Sequence, residues 1–111
     1  NQYMLGGTIM QIKFDISSKN IVISLIGRLD TITSPQLEEE INSFSLENIE
    51  TVILDLKELE YISSAGLRVV LMIHKKMNKL GGQLKLINVN DMILNIFDMT
   101  GMSEFLNIQK E

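Results

Sequence analysis

Cysteine is absent from this chain, so no disulfide framework and no thiolate-held metal is available to it. That fits a reducing, cytoplasmic setting. Tryptophan is absent as well, and two tyrosines and four phenylalanines are the whole aromatic complement. So few rings provide poor platforms for stacking bases. The single histidine, His74, is followed by Lys75 and Lys76 rather than a carboxylate that would orient it, which reads as a helix-flank residue and not a catalytic base. No apolar run approaches the roughly 18 residues that span a bilayer, so membrane insertion is not expected. Positive charge is in the minority, with 10 basic against 14 acidic residues and a net charge of −4. Its nearest cluster, Lys75, Lys76 and Lys79, reads as a solvated helix face rather than a footprint for nucleic acid.

Other chemistries fail on spacing. Gly6-Gly7 and Gly81-Gly82 lack the pattern of a phosphate-cradling loop between a strand and a helix. Glu38-Glu39-Glu40 could suggest ligands for a hard cation, but consecutive helical residues fan out by about 100° and cannot converge on one ion. Neither a metal nor a cofactor is expected, and the chain reads as a non-enzyme.

What is present is ordinary globular composition, 45% hydrophobic and 22% charged over 111 residues, enough for one domain. Asn1 to Ile9 reads as a disordered lead-in or an artificial leader, and 10–111 as the domain. Gln11 to Ser17 alternates apolar and polar residues, which predicts a strand with one wet face. Ser18-Lys19-Asn20 predicts a tight turn, and Ile21 to Ile26 the second strand of a hairpin. Thr33 or Ser34 is the expected cap of a first helix, with Pro35 in its first turn. Val52 to Leu56 predicts an interior strand. Ser64 to Leu80 predicts a second helix ended by Gly81-Gly82. Gln83 to Val89 predicts a strand, Met92 to Thr100 a third helix capped by Asn90-Asp91, and Phe105 to Ile108 a possible last strand. The order β-β-α-β-α-β-α-(β) implies an α/β domain, a mixed sheet of four to five strands with helices packed on it.

The informative segment is Ser63-Ser64-Ala65-Gly66-Leu67-Arg68, where two serines stand at a helix start. A serine there caps the helix, worth about 1 kcal/mol. It is also a place where phosphate would meet free N–H groups. Both readings stay open on the residues alone. At about 100° per residue, Gly66, Val69, Val70, Ile73, Met77 and Leu80 form the expected core stripe. Leu71 falls on the opposite, outward side, with Arg68 and Lys75 beside it and Leu67 at the flank. Ser64 projects to nearly the same azimuth as Leu71, so this face reads as a docking surface gated at its end by a serine.

Several pieces in register resemble the STAS domain, and within it the anti-sigma factor antagonists of bacterial partner-switching systems. They are Gly27-Arg28-Leu29-Asp30, Val52-Ile53-Leu54-Asp55-Leu56, Tyr61-Ile62-Ser63-Ser64-Ala65-Gly66-Leu67, Gly81-Gly82 and Phe97-Asp98-Met99-Thr100-Gly101-Met102. The resemblance runs from Met10 to about Ile108. It implies that an anti-sigma factor, itself a serine kinase, binds the unmodified chain and releases it on phosphorylating one serine. A serine phosphatase then resets the system. Position by position, the modified serine falls on Ser64. Ser63, where many members have an acidic residue, is the less favoured acceptor. The family's aspartate falls on Asp30, which the resemblance places beside Ser64 and which looks unpaired in the sequence. Two other readings compete: a STAS subunit of a lipid transporter or a stress-signalling scaffold, and, more remotely, a small nucleotide-binding protein.

Overall fold

Alternation builds the first hairpin. A computed structural model describes residues 10–111, and the expectation for residues 1–9 lies outside the described residues. β1 (Met10–Ser17) pairs antiparallel with β2 (Asn20–Leu29) in an unbroken register from Met10↔Gly27 to Ser17↔Asn20. The two-residue connection forces Ser18 to φ 55, the left-handed conformation that right-twisted hairpins require. Every later pairing is parallel, so each needs a crossover. α1 (Ser34–Ser43) lies between β2 and β3 (Thr51–Asp55), and α2 (Ser64–Lys79) lies between β4 (Leu59–Ile62) and β5 (Gln83–Val89). α3 (Asp91–Met99) and a short 3₁₀ turn (Met102–Glu104) precede β6 (Asn107–Lys110).

The sheet is mixed and has six strands in the order β1-β2-β3-β5-β6, with β4 attached to β2. The expected α/β domain is therefore present, with one strand more than the sequence reading contained. β4 is only four residues long, and its place depends on β2 changing partners. β2 pairs with β3 over Asn20–Ser24 and with β4 over Gly27–Leu29. The register shifts at Gly27/Arg28, where Gly27 has φ 109. A bulge of this kind needs glycine's freedom.

One strand face is dry. Ile21, Ile23, Leu25 and Leu29 of β2, Val52 and Leu54 of β3, and Leu84 and Leu86 of β5 join Leu37 and Ile41 of α1, five apolar or glycine positions of α2, and Ile93 and Phe97 of α3 in one core. The alternate positions Val22, Ser24, Ile26, Ile53 and Lys85 are half-buried on the other face. Within α2 the buried stripe is Gly66, Val69, Val70, Ile73 and Met77. Leu80, expected to extend it, is 40% exposed: the helix stops at Lys79 and Leu80 is already its C-cap. Likewise Phe105, expected to open the last strand, lies before β6 and is exposed.

Because β2, β4 and β5 run in parallel, their C-terminal ends share one edge of the molecule. α1, α2 and α3 all begin there. This is the end where open α/β sheets assemble their sites.

Candidate functional site at the start of the second helix

The two serines divide their work. Ser63 has extended dihedrals (φ −99, ψ 176), and its side chain accepts a hydrogen bond from Gly66 N, a long contact at 3.4 Å. Its own N–H donates to Leu29 O at 2.9 Å, and its carbonyl accepts from Leu67 N at 2.9 Å. Ser63 is thus the N-cap, and Ser64, considered as a cap in the sequence reading, is the first helical residue. The Ser64 side chain is exposed. Among the described residues no protein group engages its hydroxyl.

The helix start is pressed onto the strand ends. A Cβ at Gly66 would stand 2.8 Å from Leu29 O, 2.8 Å from Ile62 Cγ1 and 2.9 Å from Leu29 Cγ. Only a residue without a side chain lets the first turn of α2 lie so close to β2 and β4. That approach fixes the height of Ser64 above the end of β2, where the loop carrying Asp30 begins.

That loop is built around Asp30. Its Oδ1 accepts from Ile32 N at 3.0 Å and from Thr33 N at 3.1 Å. The Thr33 hydroxyl accepts from Asp30 N at 2.9 Å. It shares its one proton between Arg28 O at 2.8 Å and Asp30 Oδ1 at 3.2 Å. Arg28 Nε lies 3.7 Å from Asp30 Oδ2, and its guanidinium carbon lies 4.3 Å from the centre of the Tyr61 ring. Asp30 is therefore not the unpaired acid that its sequence context suggested. It shapes the turn into α1. Thr33, fully buried, serves this loop and makes no side-chain cap for the helix. The sequence offered Thr33 only as a cap and gave Arg28 no role of its own, because their partners here are backbone groups, the Asp30 carboxylate and a ring on another strand.

Partial burial pushes the Asp30 carboxyl up. The Thr33 and Ile32 N–H groups, the Thr33 hydroxyl and the Arg28 charge together outweigh it and hold the carboxyl below its ordinary value of 3.8. A carboxyl depressed in the folded state adds stability that is present above its unfolded pKa and is lost as pH falls through the folded one. Asp30→Ala is accordingly expected to lower stability by about 1–2 kcal/mol near neutral pH, for the lost acceptors. The gap from the parent should narrow as the parent's carboxylate is protonated below about pH 4. Thermal unfolding of both chains across that range measures it. A pH-independent gap would assign the loss to packing alone.

The outward side of α2 is less apolar-exposed than its azimuths suggested. Arg68 and Lys75 are exposed, whereas Leu67 and Leu71 are half-buried and pack against the core. Leu71 is thus partly a packing residue and not a free apolar anchor. Two other apolar side chains stand out at this end of the molecule. Ile32, in the loop after Asp30, is 64% exposed, and Met92, in the first turn of α3, is 55% exposed. This end of the molecule thus exposes a serine at a helix start and apolar residues on adjoining elements, with Arg68 and Lys75 along the outward side of α2. Among the described residues no group of three His, Cys, Asp or Glu side chains is placed to hold a metal, and no helix is long and apolar enough to cross a membrane.

The fold is that of a small α/β domain with a mixed sheet. Residues 11–111 match the STAS domain model, and the chain belongs to that family. It is 30% identical over 101 residues to the anti-sigma-B factor antagonist of Bacillus subtilis, spanning 89% of this chain and 92% of that protein. In fold it is similar to an anti-sigma factor antagonist from Mycobacterium paratuberculosis, with a TM-score of 0.83 at 19% identity over 96% of this chain and 90% of that one. It is also similar to the anti-sigma factor antagonist SpoIIAA of Bacillus, solved unphosphorylated (TM-score 0.75, 20% identity, 90% and 89% covered) and phosphorylated (TM-score 0.70, 20% identity, 90% and 92% covered).

Proposed function

We propose that this chain is an anti-sigma factor antagonist that docks an anti-sigma factor through the end of the molecule where α2 begins, and that phosphorylation of Ser64 releases it. It is a binding protein and not an enzyme, as its relatives are. The partner is a serine kinase acting on the antagonist it binds, and a serine phosphatase reverses the step. In the forward step the Ser64 oxygen forms a bond to the γ-phosphorus of a nucleoside triphosphate. The bond to the β-phosphate oxygen breaks, the diphosphate leaves, and the serine proton passes to a base of the kinase.

The observation that carries this reading is the division between the two serines. The Ser63 hydroxyl is committed to Gly66 N, while that of Ser64 is exposed and free to be presented. Support also comes from a fold relative that is known in unphosphorylated and phosphorylated forms. The Bacillus subtilis relative, 30% identical, is named for antagonism of an anti-sigma factor.

The two hydroxyls give opposite expected results. Ser63→Ala should lower the unfolding free energy by about 1 kcal/mol, the worth of a cap, and still accept phosphate from the cognate kinase. Ser64→Ala should unfold nearly as the parent does and accept none. Phosphopeptide mass spectrometry beside thermal unfolding separates them. Label that persists in Ser64→Ala and vanishes in Ser63→Ala would move the site to Ser63.

A further inference from the structure

Three cations, Lys75, Arg28 and Arg68, are candidates to answer a phosphate placed at Ser64, and the geometry sorts them. Lys75 shares the outward side of α2, but it is eleven residues further on, a rise of about 16 Å. That is beyond the reach of its side chain to a group at the first turn. Arg28 is engaged with Asp30 at 3.7 Å and with the Tyr61 ring at 4.3 Å, and it would have to give up both. It also follows the strand alternation to the face of β2 opposite Leu29, the residue that meets α2 at Gly66.

Arg68 differs on each count. It is four residues after Ser64 within the continuous helix Ser64–Lys79, so the two side chains are surface neighbours on successive turns. Helical side chains lean toward the N-terminus, and a long one covers the turn before its own Cα, here the turn that begins with Ser64. An acid placed four residues before a base is the favourable order for such a pair. Arg68 is exposed and makes no ion pair among the described residues.

We infer that Arg68 is the intramolecular receiver of the Ser64 phosphate: once Ser64 is modified, the guanidinium of Arg68 folds back along α2 and pairs with it. The inference rests on the proposed modification of Ser64 and adds a consequence. In the unmodified chain Arg68 is a free cation on the outward side of α2, available to acidic groups of a partner. In the modified chain it is occupied. One phosphoryl group therefore both adds about −1.5 to −2 charges and removes a positive one from the docking surface. Arginine suits this role better than lysine, because its planar fork can take two phosphate oxygens at once.

The test uses the full chain with phosphoserine installed at position 64 during translation, so that neither kinase nor anti-sigma factor takes part. The second ionisation of the phosphate is followed by ³¹P NMR against pH. A nearby guanidinium favours the dianion, so this ionisation should occur at lower pH in the parent than in Arg68→Gln, by at least about 0.3 unit. Arg68→Lys should restore part of the shift, and Arg28→Gln should titrate as the parent does. Raising the salt concentration should bring the parent toward Arg68→Gln, which gives a reading that requires no variant. Superimposable curves for the parent and Arg68→Gln, or a shift that follows Arg28 instead, overturn the inference. Failure of the Ser64 labelling experiment would sink the proposed modification and leave this titration untouched.

Discussion

Phosphoserine at position 64 is expected to weaken binding to the anti-sigma factor at least a hundredfold. Calorimetry with the purified partner should register it as a loss of about 3 kcal/mol or more, the cost of enclosing a charge that the partner does not neutralise. The expectation follows from the location of the hydroxyl. Ser64 is exposed at the start of α2 with Ile32 and Met92 free on neighbouring elements, so a partner seated there covers it. Carrying a partner from almost wholly bound to almost wholly free needs about 5.5 kcal/mol of differential affinity. One covered phosphate therefore provides a large share of that, and the recruitment of Arg68 adds to it. Ser64→Asp, with one charge and a shorter reach, should weaken binding less. Ser64→Ala should bind as the parent does and no longer be released when nucleoside triphosphate is added. Equal affinity of the phosphorylated and unmodified chains would remove Ser64 from the interface.

Gly66→Ala is expected to destabilise the domain although it replaces a glycine inside a helix. On propensity alone alanine gains about 1 kcal/mol there. The added methyl, however, would lie 2.8 Å from Leu29 O and 2.8 Å from Ile62 Cγ1. The carbonyl is a backbone atom held by Ser63 N at 2.9 Å, so it cannot step aside without losing the bond that anchors the helix start. Overpacking of this kind costs roughly 1–3 kcal/mol, and the clash with backbone puts it at the upper end, so the net result is a loss. Gly66→Val should cost more. Chemical denaturation gives the sign directly. A Gly66→Ala chain more stable than the parent would show that α2 does not lie as close to β2 as described.

Periodicity carried much of this architecture into the sequence. The alternation of β1 and the stripe Val69, Val70, Ile73 and Met77 are local patterns with a single geometric meaning, and the Gly81-Gly82 ending of α2 is equally direct. β4 was not legible, because Leu59-Glu60-Tyr61-Ile62 is too short to show a period and owes its place to a change of partner along β2. Leu80 was misplaced because a helical stripe extrapolates smoothly past a helix that has already ended. Leu71 was assigned by azimuth, which gives direction and says nothing about the neighbours that half-cover it. At the site, both serines suit a cap by composition, and only the extended backbone of Ser63 distinguishes them. Asp30 looked idle because its partners are N–H groups two and three residues away, which no side-chain pattern records.

The division of β2 between two partners limits how far an event at Ser64 can spread. On the edge away from β1, the amides and carbonyls of β2 below Gly27 belong to the ladder with β3, over Asn20–Ser24. Above it they belong to β4, and the irregular register between the two stretches interrupts the continuous row of bonds along which a displacement would be passed. A charge arriving at the start of α2 is therefore expected to act first on Leu29, Ile62 and the Asp30 loop, while the β1–β2–β3 portion of the sheet meets the β4 ladder at Gly27, which pairs with both Met10 and Leu59. In hydrogen exchange, the amides of Arg28 and Tyr61 should respond to the modification while those of Ile23 and Leu54 keep their protection. Under the proposed function such a domain would signal by what its surface presents, with its interior the same in both states.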